Sequence, residues 1–262
     1  MTRDNRGRVL PHDEMGAGPA VVLLHAGVAD RTMWSEHLAP LAGAGLRVVA
    51  PDLPGFGEAV PAPGLQAPWE DVLATMDELG IDRAALVGNS FGAAVAMRVA
   101  VVAPERVTAL ALVSSPAPGI EPSAELEAAW EAEEAALARG DIDAAVQAVI
   151  DTWTLPDAPP ELRDRVATMQ RRSFALRPAG QEISEAPDPV EELPELLTGV
   201  DVPALVAAGE SDMQEFRTAA AILAETLPRA RLVILERAGH LAPLETPGAF
   251  RELVLGFLAD AA

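Results

Sequence analysis

One pentapeptide, Gly88-Asn89-Ser90-Phe91-Gly92, constrains this chain more than any other stretch. It reads G-x-S-x-G. Before it, Ala84 to Val87 is a short apolar run suited to a buried strand. After it, Ala93-Ala94-Val95-Ala96-Met97-Arg98-Val99-Ala100 is small and helix-favouring. A strand, a tight turn and a helix form the context in which this pattern presents a nucleophilic serine. Such a turn holds the serine in a strained backbone conformation and brings neighbouring chains close, so Gly88 and Gly92 serve by lacking a Cβ. Ser90 then stands at a strand's C-terminal end with a helix N-terminus behind it, a place that favours developing negative charge. Alone, the pentapeptide is weak: a glycine-rich turn with an incidental serine fits it as well.

The rest of the chain supplies the context. Ala20–His25, Leu46–Ala50, Val107–Val113, Ala204–Ala208 and Leu232–Leu235 are further apolar runs. Helical spacing links Met33–Ala42, Pro68–Leu79, Glu215–Leu227 and Pro247–Asp260, and a short edge strand is expected around Arg8–His12. Apolar strands alternating with helices predict an α/β fold, a mostly parallel sheet with helices on both faces. The alternation stops between about Pro118 and Pro194, where proline clusters punctuate three helical stretches and no strand is expected: Ser123–Arg139, Asp141–Thr152 and Pro160–Ala175. The expected division is a core of residues 1–117 and 195–262 carrying an inserted helical unit at 118–194.

Composition removes several function classes. The 262 residues, 50% of them hydrophobic, suffice for one large domain with an insertion. With no cysteine, disulfides and thiolate metal sites are excluded, and the four histidines (His12, His25, His37, His240) lack ligand spacing, so no metal is expected. A net charge of −21 argues against nucleic acid and disfavours anionic substrates. There is no lysine for a Schiff base and no tyrosine for phenol chemistry. The charged N-terminus lacks an apolar segment, and no run is long enough to span a bilayer. A cytoplasmic protein, monomer or homodimer, acting on a small molecule without a cofactor or membrane is the expectation.

A nucleophilic serine needs a base, an acid to orient it and donors for an oxyanion. Each is available after a strand, where loops gather at the sheet's C-terminal edge. His240 follows the last strand in Ala238-Gly239-His240 and is the best base; otherwise it is a surface-loop histidine. Asp212, in Gly209-Glu210-Ser211-Asp212, is the best orienting acid; its alternative role is an N-cap. Arg98 reads as a helix-surface charge. Trp130 and Trp153 read first as packing, with Trp153 and Met213 kept as candidate substrate contacts. Any pocket arginine is sought in Arg31 or Arg171. The glutamates between Glu121 and Glu134 read mostly as a solvated face.

The order Ser90, Asp212, His240 and the loops between them resemble the α/β-hydrolase superfamily. The resemblance covers nearly the whole chain. His25-Ala26-Gly27-Val28 looks like that family's oxyanion loop, and Pro51-Asp52-Leu53-Pro54-Gly55-Phe56-Gly57 like its D-x-P-G-x-G loop. The segment from Ala238 through Glu245 and Pro247 matches its histidine loop. The resemblance implies a serine hydrolase with a cap, with backbone N–H groups of Gly27 and Phe91 as the oxyanion hole and His25 bracing that loop. Ala26 departs from the family's glycine. The implied reaction is hydrolysis of a small carboxylic ester or lactone through an acyl-enzyme. Carbon–carbon bond hydrolysis of ring-cleavage products ranks second, and a non-hydrolytic biosynthetic or ligand-binding role on the same fold third.

Overall fold

The structure is a computed structural model that describes residues 7–176 and 183–261. The chain enters through β1 (His12–Met15), β2 (Ala20–Leu24), α1 (Ser35–Gly43) and β3 (Arg47–Pro51). It continues through β4 (Gly64–Gln66), α2 (Pro68–Glu78), β5 (Ala84–Asn89), α3 (Phe91–Val102) and β6 (Val107–Val113). Three helices intervene: α4 (Ala124–Ala138), α5 (Ile142–Trp153) and α6 (Pro160–Leu176). Then come β7 (Ile183–Glu185), α7 (Pro189–Glu192), β8 (Ala204–Gly209), α8 (Gln214–Thr226), β9 (Ala230–Leu235), α9 (Ala242–Glu245) and α10 (Pro247–Asp260).

Seven strands form one sheet in the order β1-β3-β2-β5-β6-β8-β9, parallel except for the antiparallel edge strand β1. The apolar strands feed both faces because successive side chains alternate. Val21 and Leu23 join one core with α1 and α10, while Val22 and Leu24 join the other with α2, α3 and α8. Strand order reverses between β2 and β5, so their following loops diverge and leave a crevice at the C-terminal edge. Leu24 is paired with Gly88 there, which places the loop after β2 beside the turn after β5.

Two expectations change. The first strand is His12–Met15, a few residues later than expected, because it pairs with β3 from His12 opposite Pro51 onward. The inserted segment does contain a strand: β7 pairs in parallel with β4 in a separate two-stranded sheet. Three residues are too few to show a period of two, so long-range pairing alone defines it.

The inserted helices are locally specified. Ser123 caps α4 through Leu126 N–H, and Asp141 caps α5 through Ala144 N–H. Helix α6 fastens the insertion to the loop after β2. Arg165 binds Glu36 at 2.7 Å and the Thr32 and Met33 carbonyls. Arg172 pairs with buried Asp30 at 2.9 Å, and Ser173 Oγ donates to the Gly55 carbonyl at 3.0 Å.

Candidate active site

The turn after β5 is over-determined. Ser90 sits at φ 53° and ψ −115°, a region non-glycine residues rarely adopt, at a cost of about 1–3 kcal/mol. Its N–H donates to Val113 O at 2.8 Å, and its carbonyl accepts from Ala94 N–H at 3.0 Å. A Cβ on Gly88 would lie 2.4 Å from Ala93 N, and one on Gly92 would lie 2.1 Å from Leu24 O. Both glycines are therefore set by close backbone approach, not by their own φ.

The loop after β2 closes one side. His25 is fully buried; its Nδ1 donates to Ala26 O at 2.8 Å, and its Nε2 accepts Leu53 N–H at 2.9 Å. Those two bonds fix one neutral tautomer, and burial holds its pKa below the usual histidine value. His25 thus joins the loop after β2 to that after β3. Ala26 has a negative φ, which is why alanine is accommodated there. Gly27 lies against Phe91, where an added Cβ would come 3.4 Å from Phe91 Cβ. Phe91 opens α3, so its N–H has no carbonyl partner within the helix.

On the other side, Gly209 ends β8 against the loop after β9. A Cβ there would lie 2.2 Å from Gly239 O. Asp212 Oδ1 meets His240 Nδ1 at 2.9 Å and also accepts Met213 N–H at 2.8 Å. Both side chains are almost completely buried. The other two acids of the loop are occupied elsewhere. Glu210 accepts Arg237 N–H, and Glu215 accepts from Ser123 N–H and Oγ. Burial would raise the Glu215 pKa, but bonds from its own backbone N–H and from Ser123 hold it below the usual range.

His240 is clamped between Trp153 and Phe216, with ring centroids 4.5 and 4.3 Å away. Its Nε2 is buried and has no hydrogen-bond partner among the described residues. Ser90 and His240 line one cavity of about 730 Å³, together with Gly27, Phe91 and Trp153. That volume suits a small-molecule site. The walls are mostly apolar, with Val28, Phe56, Trp69 and Val95 among them. Among the described residues no group of three or more His, Asp and Glu is arranged to hold a metal, and no helix is long and apolar enough to cross a membrane.

Several side chains lie elsewhere than the sequence suggests. Met213 is absent from this cavity. It follows Asp212 directly, packs on the core and faces a second cavity of about 440 Å³ behind the acid. Trp130, read as packing, is 42% exposed and lines the main cavity. Arg98, read as a surface charge, also lines it and is paired with Asp188. Arg31 instead meets Asp13, Asp52 and Glu58, and Arg171 meets Asp143.

Sequence reasoning gave no role to Asn89, Phe216 or Glu245. Asn89 Nδ2 donates to His240 O at 3.0 Å and Val113 O at 3.2 Å, tying the serine turn to the histidine loop. Glu245 accepts Gly239 N–H at 2.7 Å, and burial pushes its pKa up. A polar residue ending an otherwise apolar strand was the signal available for Asn89.

Known proteins bear on this arrangement. The chain is 33% identical to a 2-hydroxymuconate semialdehyde hydrolase of Pseudomonas putida over 82% of its length and 78% of that protein. Among solved structures, an enol-lactonase from Burkholderia xenovorans LB400 superposes with a TM-score of 0.79 at 26% identity, covering 95% of this chain and 96% of that one. A thermophilic esterase from Thermogutta terrifontis gives 0.78 at 26%, covering 96% and 93%. The model of the alpha/beta hydrolase family matches residues 21–253. The chain is a hydrolase and belongs to the α/β hydrolase family.

Proposed function

We propose that the protein hydrolyses small carboxylic esters or lactones through an acyl-enzyme on Ser90. One observation carries this reading: His240 binds Asp212 through Nδ1, and its Nε2, without a partner among the described residues, lies beside the cavity that Ser90 lines. A carboxylate accepts, so Nδ1 carries the proton and Nε2 offers its lone pair. His240 takes the Ser90 proton as Oγ attacks the carbonyl carbon. The Gly27 and Phe91 N–H groups stabilise the tetrahedral oxyanion. His240 then protonates the leaving alcohol and activates the water that frees the acid. The described residues of the 118–194 segment act as the cap that closes the cavity.

A second reading, hydrolysis of a carbon–carbon bond in a ring-cleavage product, is favoured by the likeness to the Pseudomonas putida enzyme. One panel separates them: p-nitrophenyl acetate, a lactone and a vinylogous diketone, each assayed with Ser90→Ala alongside. Ester or lactone turnover above diketone turnover, lost in Ser90→Ala, is expected. Faster diketone cleavage reverses the ranking. A fluorophosphonate label on a serine other than Ser90 overturns the mechanism.

A further inference from the structure

Arg98 stands at the end of a row. Phe91, Ala94, Val95 and Arg98 all line the cavity, and their spacing is one face of α3. That face is a wall running from the oxyanion end to the guanidinium, about 10 Å at 1.5 Å per residue. Asp188 reaches the same end through the short strand β7, and Ala186 N–H binds Gln66 O at 2.9 Å to fix it there.

The two charged side chains are held closely. Arg98 Nε donates to Asp188 Oδ2 at 2.7 Å, Nη2 binds the same oxygen, and Nη1 donates to Ala94 O at 2.8 Å. Asp188 Oδ1 caps α7 by accepting Val190 N–H at 2.9 Å and Glu191 N–H at 3.3 Å. The pair is 12% and 27% exposed, so it sits in the wall rather than in open solvent. A guanidinium has five N–H donors, and one on each Nη lacks a partner among the described residues.

We propose that Arg98 and Asp188 form a distal subsite for an uncharged hydrogen-bonding end of the substrate, a carbonyl, amide or hydroxyl about 10 Å from the scissile carbonyl. The remaining Nη–H groups donate to its oxygen, while Asp188, whose Oδ2 is taken by Arg98 and whose Oδ1 is taken by the Val190 and Glu191 N–H groups, supplies the compensating charge rather than an acceptor. Asp188 cancels the arginine's charge, so a carboxylate at that end meets a like charge with no net attraction. Neutralising Asp188 unmasks Arg98 and makes the subsite one for anions. The kinetic form of this inference rests on the ester or lactone reading; its binding form does not.

The kinetic test uses p-nitrophenyl esters of one linear acid, about eight carbons long, ending in methyl, primary amide or carboxylate. The readout is the carboxylate-to-amide ratio of kcat/KM, so a general loss of activity cancels. The unaltered enzyme is expected to favour the amide at least tenfold. Asp188→Asn keeps an oxygen to cap α7 and should raise the ratio at least tenfold. Arg98→Gln with Asp188→Asn should abolish the gain. The binding test titrates Ser90→Ala protein, with and without Asp188→Asn, with octanoate and octanamide, followed by fluorescence of the tryptophans that line the cavity. Tighter octanoate binding on Asp188→Asn is expected even if no ester is turned over, which would sink the ester reading alone. Ester turnover with an unchanged ratio, or preference for the carboxylate in the unaltered enzyme, overturns the subsite.

Discussion

Replacing His37 with glutamine should remove an acid-sensitive part of the protein's stability. His37 lies on α1, fully buried, with its ring edge-on to Phe250 at 5.0 Å and Trp34 at 5.7 Å. Its Nε2 donates to Pro243 O at 2.9 Å, three residues beyond His240. Nδ1 is buried without a partner among the described residues, so a proton there would be an unpaired interior charge. Burial, the largest cause, lowers its pKa from 6.5 to about 4; the bond to Pro243 O opposes this, and Arg251 adds to it. In this case the folded-state value is the depressed one for a base. Below 6.5 the unfolded chain takes up a proton that the folded chain refuses until about 4, so stability falls as pH falls through that window. The gap between the two values corresponds to about 3 kcal/mol in full, of which about 2 kcal/mol is lost by about pH 5. Urea unfolding of both proteins from about pH 7.5 to 5 measures it. Glutamine can still donate to Pro243 O, and its lost ring packing is a constant offset. His25, Asp71 and Glu245 titrate alike in both proteins, so only the difference in slope matters. Stability curves that run parallel with pH would show that the folded and unfolded chains protonate His37 alike.

Gly92→Ala should fail to give soluble folded protein, because its Cβ would sit 2.1 Å from the Leu24 carbonyl; a melting temperature within about 4 °C of the parent refutes this. Asp212→Asn should lower kcat by about 10³–10⁴ with an unchanged circular dichroism spectrum, whereas Glu215→Gln, whose partner is Ser123, should cost less than about tenfold. Asn89→Leu should lower kcat more than it raises KM, because the side chain holds the His240 carbonyl rather than the cavity wall; a pure KM effect would show that it contacts substrate instead.

The glycines show how far local sequence reaches. Gly88 and Gly92 are legible because the serine turn needs backbone contact, and the structure gives the contacts: Ala93 N for one, Leu24 O for the other. His37 shows the limit. In sequence it is one of four scattered histidines with no assigned role. In the fold it braces the loop that carries His240, across 206 residues of chain. Nothing local marks a side chain whose partner is that remote.

What the sequence determined by itself was whatever repeats over short distances or sits at one point on the chain. Apolar runs specified the strands, though β9 at the sheet edge is half exposed; composition between proline clusters specified the helices of the insertion, and the motifs the order of Ser90, Asp212 and His240. Tertiary structure supplied the contact itself: the packing of β8 against β9 brings Gly209 and Gly239 together, so that Asp212, already singled out in the sequence, meets His240. It also decided that Arg98 faces a cavity rather than solvent, because the insertion and the β4–β7 pair build the opposite wall. An apolar strand buried on both faces carries no mark of which core each residue joins. A charged residue on a helix carries none of what will be folded over it. Those facts belong to contacts between distant segments, and they exist only once the chain has closed on itself.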